Sequence, residues 1–270
     1  MSNVVLSDSE FKDLCGLVFE YTGIKIKDEK KALAFSRFSK RLKLLNLSSF
    51  NEYYNYVKNN DSEIESFTNA ITTNLTAFFR ESHHFEFLSQ TVIPRLIANG
   101  QKKIRIWSAG CSTGEEPYSI AISLLESMPK IRNLDVKILA TDIDTQVLSK
   151  AQAGIYHVAN FDQLTNLMKP TWYKKINGND SIEIVPKVKD MISFKRLNLI
   201  ASQWPMKGPF DVIFCRNVII YFDKDTQKRL VSRFADLQYS SAYLFSGHSE
   251  SLQTVSDKYK HVGKTTYKLK

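Results

Sequence analysis

The sequence has little of what builds a disulfide-linked protein or a metal-centred one. Its three cysteines, Cys15, Cys111 and Cys215, are far apart in the chain and odd in number. Neither they nor the five histidines show the short spacings of common zinc sites. We therefore expect neither a disulfide framework nor a bound metal.

Long apolar runs are also missing. No stretch of about 18 apolar residues occurs, which is the length that a membrane-spanning helix needs. The first ten residues lack the basic and apolar segments of a signal peptide. Both absences predict a cytoplasmic protein. Hydrophobic residues make up 43% of the 270-residue chain, which is enough for a core in one large domain or two smaller ones.

Positive charge is in excess and unevenly distributed. The formal net charge is +9, which suggests an acidic partner such as nucleic acid, anionic lipid or an acidic protein surface. Residues 30–45 carry several basic side chains and no acidic one. Phe38, Leu42 and Leu45 recur there at helical spacing, which predicts a helix with an apolar face toward a core and basic residues elsewhere.

Two hydrophobic patterns divide the chain. Through residue 72 the apolar residues recur at helical spacing, which predicts a small all-α domain, with Ser48 or Ser49 as the cap of one helix. After residue 101, predicted strands at 103–107, 136–142, 210–215 and 242–246 alternate with predicted helices at 117–127 and 145–153. This alternation is typical of an α/β domain with a doubly wound, mostly parallel sheet. Short strands at 181–185 and 191–195 indicate a small antiparallel excursion.

The small-residue loop after the first predicted strand is a candidate ligand site. Gly110 and Gly114 allow a ligand to approach backbone N–H groups at the start of the next helix. Their spacing differs from the dinucleotide fingerprint, and the acidic pair Glu115 and Glu116 would repel phosphate. A ligand with a ribose and a positive charge fits better, and Asp142 is placed to hydrogen-bond ribose hydroxyls. An ordinary turn, in which the acids only complement the helix dipole, fits the same residues.

Five longer motifs together resemble the CheR family of chemotaxis receptor methyltransferases. They are TNLTAFFRESHHF at 73–85, WSAGCSTGEEPYS at 107–119, TDIDT at 141–145, FDVIFCRNVIIYFD at 210–223 and FSGHSE at 245–250. The resemblance runs from about Phe11 to the C-terminus. It implies an N-terminal helical domain, here residues 1–72, and a class I methyltransferase-like domain at 73–270 with a small antiparallel β-subdomain inserted at about 156–195.

The resemblance also implies a site for S-adenosyl-L-methionine and its product S-adenosyl-L-homocysteine, without a metal. The family's cofactor contacts match Asn74, Thr76, Arg80, Glu116, Asp142, Asn198, Leu199, Arg216 and Asn217. The sequence leaves open whether Glu115 or Glu116 makes the contact. Tyr221 matches the tyrosine beside the transferable methyl group, and with Arg80 it forms the candidate catalytic pair. Taken singly, Asn74 also fits a helix cap and Tyr221 a core aromatic.

The activity that the resemblance implies is esterification of glutamates in the acidic helical methylation region of methyl-accepting chemotaxis receptors. A glutamate with a pKa of about 4.3 is already ionised at neutral pH, so the reaction requires positioning rather than a general base. Arg80 and Tyr221 are expected to orient this carboxylate. The expected docking residues on the basic helix are Arg37, Lys40, Arg41 and Lys43.

Some family members also bind a pentapeptide at the receptor's C-terminus, on a longer glycine-rich loop of the β-subdomain. Here the corresponding segment, residues 173–181, is short and has one glycine. We therefore expect no strong pentapeptide tether, and membrane association only through the receptor.

Two other readings remain. A nucleic-acid methyltransferase would suit the basic charge, but the segment from Arg216 to Tyr221 lacks the prolines of the motif that base-methylating enzymes carry after the fourth strand, so we expect no nucleic-acid partner. A sensor that binds the cofactor without catalysis is the other reading. The presence of Arg80 and Tyr221 argues against it.

Overall fold

The computed structural model describes residues 5–127, 134–157, 169–176, 178 and 180–270. Its N-terminal part contains α1 (Asp8–Thr22), α2 (Lys31–Leu45), α3 (Phe50–Asn59) and α4 (Asp61–Ile71). Helix α1 begins with a capping box, in which Ser7 Oγ accepts from the Glu10 N–H and the Glu10 carboxylate accepts from the Ser7 N–H. Of the two serines before α3, Ser49 is the cap, because its Oγ accepts from the Glu52 N–H at 3.1 Å.

An aromatic core holds these four helices together. Phe38 of α2 stacks on Phe67 of α4 with ring centroids 5.1 Å apart, and Tyr53 of α3 packs against both rings. All three side chains are buried, as is Leu42. The apolar face predicted for the basic helix is therefore confirmed at Phe38 and Leu42.

A buried ion pair lies beside this core. Arg41 donates to both carboxylate oxygens of Glu63, at 2.9 and 2.6 Å, and the Tyr53 hydroxyl donates to the same carboxylate at 3.0 Å. Glu63 is buried, and Arg41 is largely covered. The guanidinium of Arg41, one of the expected docking residues, thus links α2 to α4.

Of the other three expected docking residues, one is engaged inside the helical domain and two are exposed. Arg37 donates to the backbone carbonyls of Ala70 and Thr72 at the end of α4, which satisfies acceptors that a helix end leaves open. Lys40 and Lys43 are exposed. Fewer basic side chains of α2 are therefore free than the sequence suggested, because its two arginines pair with groups in α4 and at its end.

The second part of the chain is built on two sheets. The strands are β1 (Lys103–Ala109), β2 (Asp135–Asp142), β3 (Ile155–His157), β4 (Tyr173–Ile176), β5 (Ser181–Ile184), β6 (Ile192–Arg196), β7 (Phe210–Cys215), β8 (Gln238–Ser246), β9 (Tyr259–Gly263) and β10 (Thr266–Leu269). The large sheet has the order β6-β2-β1-β7-β8-β10-β9. Its first five strands are parallel, and β10 runs antiparallel to β8 and β9. This is the predicted fold class.

The remaining helices are α5 (His83–Phe87), α6 (Ile93–Ala98), α7 (Glu115–Ser127), α8 (Thr145–Ala153), α9 (Pro186–Lys189) and α10 (Lys224–Asp236), and a π-helical turn joins α5 to α6. They cover both faces of the large sheet. Ile106 and Phe214 belong to one hydrophobic cluster together with α7, whereas Trp107 and Ile213 belong to another together with α10. Neighbouring strand residues point to opposite faces, so both faces are buried. No helix among the described residues is long and apolar enough to span a bilayer.

The small sheet is antiparallel, with the order β3-β5-β4. The range expected for the inserted β-subdomain, about 156–195, extends too far, because β6 pairs in parallel with β2 in the large sheet. Two stretches of that range, residues 158–168 and the loop positions 177 and 179, lie outside the described residues.

Helix α4 and the segment after it join the two parts. Asn69 Nδ2 donates to Thr145 Oγ1 at 2.9 Å, and Thr72 Oγ1 donates to Asp144 Oδ2 at 2.6 Å. The other oxygen of Asp144 accepts from two backbone N–H groups at the start of α8. One carboxylate therefore caps a helix of the methyltransferase-like part and binds the end of the helical domain.

Replacing Glu63 with alanine is expected to destabilise the helical domain. The change leaves Arg41 and the Tyr53 hydroxyl without their shared acceptor. Removing one partner of a buried pair costs about 3–5 kcal/mol, and the partial exposure of Arg41 reduces the expected loss in unfolding free energy to about 2–3 kcal/mol. Urea unfolding measures it. Glu20→Ala, at an exposed position of α1, is the control, and equal unfolding midpoints for the two variants would contradict the prediction.

Candidate functional site

A pocket opens at the carboxyl ends of the parallel strands, where doubly wound sheets bind their ligands. Its wall includes Gly110 after β1, Asp142 at the end of β2, Asn198 after β6 and Arg216 after β7. Residues of the helical domain close the other side. The pocket is therefore shared between the two parts of the chain.

Gly110 is the residue that allows the loop after β1 to pass under this pocket. Its φ is +87°, and a Cβ built at this position would lie 2.4 Å from Val218 Cγ2. The N–H groups of Gly110 and Cys111 donate to the Thr141 carbonyl at 2.8 and 2.9 Å, which fastens the loop to β2. A larger side chain would collide with Val218, so glycine is required here.

Glu116 is the acid of the pair that reaches the pocket. Its Oε1 accepts from Ser108 Oγ at 2.7 Å, and its Oε2 accepts from Arg216 at 3.2 Å. Burial raises the pKa of this carboxyl, although Arg216 and Ser108 oppose the shift. Glu115 instead accepts from Thr113 Oγ1 at 2.6 Å and is not among the lining residues. Of the two acids that the sequence left open, only Glu116 lines the pocket.

Asp142 forms a second acidic point in the pocket. It accepts from the Ser112 N–H at 2.8 Å and from the Asp144 N–H at 3.0 Å. Burial raises its pKa, and the two backbone hydrogen bonds favour the charged form. The carboxylate is therefore held rigidly at the end of β2, with its orientation fixed by backbone donors.

The segment after α4 forms the wall between the two parts. Asn74 Nδ2 donates to Asp144 at 2.8 Å, and the Asn74 carbonyl accepts from Ser112 Oγ at 3.0 Å. Arg80 Nη1 donates to the Leu75 carbonyl at 3.0 Å, so the guanidinium folds back over its own segment. The side chain of Asn74 is thus engaged within the protein, while Arg80 keeps donors for another group.

The residues that the resemblance implied as cofactor contacts meet in this one pocket. Its lining includes Asn74, Thr76, Arg80, Glu116, Asp142, Asn198, Leu199, Arg216 and Asn217, together with Tyr221. The four residues expected to dock the substrate, Arg37, Lys40, Arg41 and Lys43, lie on α2 outside this lining. Asn198 also donates to the Tyr21 carbonyl of α1 at 2.7 Å, which joins the β6 side of the pocket to the helical domain.

Two lysines of the helical domain also border the pocket and were missed as site residues. Lys30 Nζ lies 5.3 Å from the centroid of the Tyr221 ring, and the Lys25 N–H donates to the Tyr221 carbonyl at 2.9 Å. Burial raises the pKa of the Tyr221 hydroxyl, and the charge of Arg80 partly offsets this. Tyr221 therefore sits between cations from both parts. Lys30 does begin the basic run that the sequence singled out, but its proximity to Tyr221 depends on the tertiary fold.

Arg216 is a buried cation in the pocket wall. Its guanidinium lies 3.2 Å from Glu116 Oε2 and 3.4 Å from Glu81 Oε2, and it donates to the Arg80 carbonyl. Burial raises the pKa of Glu81, but Arg216 and His248 outweigh it and hold that pKa below its ordinary value. Glu81 was not expected from the sequence, although it directly follows Arg80.

This arrangement fits S-adenosylmethionine. Glu116 and Asp142 offer two carboxylates, the acceptors that an ammonium group and ribose hydroxyls need, and Gly110 leaves the space that a side chain would fill. An apolar side chain, Leu199, lies beside Asn198 in the pocket wall, and such a surface suits a flat base.

Comparisons with known proteins agree across both parts of the chain. The model of the CheR methyltransferase all-alpha domain matches residues 9–72, and that of the CheR methyltransferase SAM binding domain matches residues 74–268. The chemotaxis protein methyltransferase 2 of Pseudomonas aeruginosa is 40% identical over 260 residues, which cover 96% of this chain and 92% of that protein.

Two further relatives show the same extent of similarity. A probable chemotaxis protein methyltransferase of Rhizobium etli is 42% identical and covers 93% of this chain and 96% of that protein. The chemotaxis protein methyltransferase of Escherichia coli is 38% identical and covers 98% of this chain and 92% of that protein. Because the similarity spans the helical part and the sheet part alike, the chain belongs to the CheR methyltransferase family.

Proposed function

We propose that this protein transfers a methyl group from S-adenosylmethionine to glutamate side chains in the cytoplasmic region of chemotaxis receptors. Its family makes it an S-adenosylmethionine-dependent chemotaxis methyltransferase. The finer assignment, a glutamate carboxylate as acceptor, is supported by the polarity of the pocket. Glu116 and Asp142 line one part of it, and Tyr221 stands beside Lys30 and Arg80 in another.

This polarity suits a cationic donor and an anionic acceptor. When bound, S-adenosylmethionine supplies a methyl group carried on a sulfonium. Glu116 would hold the ammonium group of its amino-acid part, and Asp142 the ribose hydroxyls. The cations near Tyr221 would attract a carboxylate to the same pocket, because opposite charges draw the acceptor inward.

The residues at the acceptor side would act by positioning. The acceptor carboxylate is ionised at neutral pH because a glutamate pKa is about 4.3, so no residue has to remove a proton. The Tyr221 hydroxyl can donate a hydrogen bond to one carboxylate oxygen and leave the other free to attack in line. Arg80, held at its backbone by Arg216 and at its guanidinium by Leu75, can fix the angle of approach.

Methyl transfer to receptor-enriched membranes tests the assignment. With radiolabelled S-adenosylmethionine we expect label on a receptor band that alkali releases as volatile methanol, because carboxyl methyl esters hydrolyse in base. Tyr221→Phe is expected to lower kcat by about tenfold, because the attacking carboxylate oxygen is then no longer held in line with the methyl group. Its cofactor affinity, measured by calorimetry, is expected to stay the same.

Tyr239→Phe is the matched control, because Tyr239 is half exposed on β8. Label that resists alkali would contradict the proposal and point to N-methylation of lysine or nucleic acid. Cofactor binding without transfer to any acceptor would point to a sensor. A Tyr221→Phe variant with the kcat of Tyr239→Phe would contradict the positioning role alone.

The affinity for S-adenosylmethionine is expected to fall as the pH is lowered. Burial raises the pKa of Glu116, and only its ionised form attracts the ammonium group, so acid removes this attraction at a higher pH than for an exposed glutamate. Glu116→Gln is expected to weaken binding about tenfold at neutral pH. Asp142, whose pKa is also raised, would retain part of the pH dependence.

Calorimetric titration at neutral pH and at about pH 5.5, above the ordinary range for an exposed glutamate, measures both effects. Glu115→Gln is the control, since it removes the neighbouring buried carboxylate without touching the pocket. Equal weakening by Glu115→Gln and Glu116→Gln would contradict the assignment of Glu116.

Docking of the acidic receptor helix is proposed for the exposed lysines of α2. Lys40 and Lys43 remain free for it, whereas Arg37 and Arg41 are largely occupied inside the helical domain. The double charge reversal Lys40→Glu/Lys43→Glu is expected to raise KM for the receptor about tenfold with kcat unchanged, and to weaken the salt dependence of KM.

The control for this prediction is Lys12→Glu/Lys58→Glu, which makes the same change in net charge at exposed positions of α1 and α3. If both double variants raise KM equally, the effect is one of net charge and the docking role is wrong. We propose chemotaxis receptors as the protein's partners, bound in the cytoplasm and without a strong pentapeptide tether. Nucleic acid is not a proposed partner.

A further inference from the structure

A cluster of histidines surrounds Glu81 on the side of Arg216 that does not line the pocket. His83 and His84 begin α5, and His248 follows β8. The ring centroids of His83 and His84 are 4.2 Å apart, and those of His83 and His248 are 5.2 Å apart. His248 Nδ1 lies 3.0 Å from Glu81 Oε1. The cluster thus gathers three imidazoles around one carboxylate.

Three atoms in this cluster are buried without a hydrogen-bond partner among the described residues. They are Glu81 Oε2, His83 Nε2 and His84 Nδ1. The side chains of Glu81 and His84 are only 6% and 0% exposed. One ligand atom from each of the three residues lies within 4.8 Å of the other two. Buried polar atoms of a folded protein are normally paired, so their convergence indicates a shared ligand.

The contacts of His84 determine which kind of ligand fits. Its Nε2 lies 2.9 Å from the Lys264 carbonyl, which only accepts, so Nε2 carries the hydrogen. In a neutral imidazole whose Nε2 carries the hydrogen, the other ring nitrogen, Nδ1, holds a lone pair. This lone pair faces Glu81 Oε2 at 3.5 Å. Two acceptors that face each other need a cation or a donor between them.

We propose that Glu81, His83 and His84 bind a divalent metal ion of the zinc type. A carboxylate and two neutral imidazoles are ligands that zinc prefers. The distance of 3.5 Å between Glu81 Oε2 and His84 Nδ1 is close to the about 3.4 Å between neighbouring ligands of a tetrahedral zinc with bonds of about 2.1 Å. The N–H of His84 on a backbone carbonyl is one of the contacts that orient metal-binding histidines.

Arg216 does not fully neutralise the acids around it, so a further cation can be accommodated. Its single guanidinium is shared by Glu81 and Glu116, at 3.4 and 3.2 Å. A metal at Glu81 would leave Arg216 to Glu116. Because the three ligands lie within residues 81–84, the ion would rigidify the start of α5, which the hydrogen bond from His84 Nε2 already ties to the Lys264 carbonyl before β10. The sequence alone predicted no metal, because the ligands have no recognised spacing.

Titration of the metal-free, full-length protein with zinc chloride tests the site without cofactor or receptor. We expect binding of one equivalent in calorimetry, intense visible absorption of a four-coordinate site with Co²⁺ as the probe, and a Tm that rises with zinc concentration. His83→Ala is expected to lower zinc affinity by more than about tenfold. His83 is half-buried, so this change is less damaging to the fold than one at His84.

His261→Ala is the matched control, because His261 is exposed on β9, away from the cluster. Glu81→Gln keeps the size of the side chain but removes its charge, and it too is expected to weaken zinc binding. The proposal is overturned if the folded wild-type protein shows no saturable zinc binding. It is equally overturned if Glu81→Gln or His83→Ala binds zinc as tightly as His261→Ala does. Because no methyl transfer is measured, failure here leaves the proposed function untouched.

Discussion

The buried guanidinium of Arg216 is the contact on which the site depends. It bridges Glu81 and Glu116 and donates to the Arg80 carbonyl, so it joins the interdomain segment, the start of α7 and the end of β7. A charge that is 6% exposed is stable only with such partners. Loss of Arg216 would leave the carboxylates of Glu81 and Glu116 buried without their shared cation, at a cost of several kcal/mol each. Arg216 is therefore as much a structural residue as a pocket residue.

The same contact defines where Arg80 can reach. A long arginine side chain normally has many rotamers, and ordering them costs up to about 2 kcal/mol. Here Arg216 fixes the backbone of Arg80, and the Leu75 carbonyl fixes one nitrogen of its guanidinium. The start of this segment is also held in place, because Asn74 and Thr72 both donate to Asp144. The interdomain segment is thus anchored at both ends before any ligand arrives.

Local patterns in the sequence predicted the elements whose signals are local. The strands at β1, β2 and β7 were predicted within a few residues, since their hydrophobic periodicity is visible in a short window, and Asp142 at a strand end was visible with them. The pairing of β6 with β2 was not predicted, because partner choice in a parallel sheet depends on chain segments about 50 residues apart.

The site residues show the same division. Asn74, Arg80, Glu116 and Tyr221 came from motifs that resemble a family, and they line one pocket. The partners that set their chemistry are distant in sequence. Lys30 meets Tyr221, and Arg41, which looked free, meets Glu63 on a helix that the sequence did not connect to it. Charge patterns therefore indicate which faces are basic, but not which charges remain available after folding.

The two ends of the pocket differ in a way that the proposed reaction explains. Methyl transfer from a sulfonium to a carboxylate removes one charge from each reactant, so tight ion pairing to either of those charges would stabilise the reactants more than the transition state. The ammonium and ribose groups of the donor keep their charge and polarity throughout. Buried carboxylates such as Glu116 and Asp142 can therefore bind them strongly without raising the barrier.

The acceptor carboxylate, in contrast, loses its charge in the reaction. Cations that attract it should do so weakly, because the pairing energy is lost at the transition state. Lys30 and Arg80 are partly exposed, and solvent screens their attraction to a fraction of what a buried pair would provide. The product ester would then leave easily, since it is neutral and these cations no longer attract it. Buried acids near the donor and screened cations near the acceptor are the arrangement that the charge balance of the proposed reaction favours.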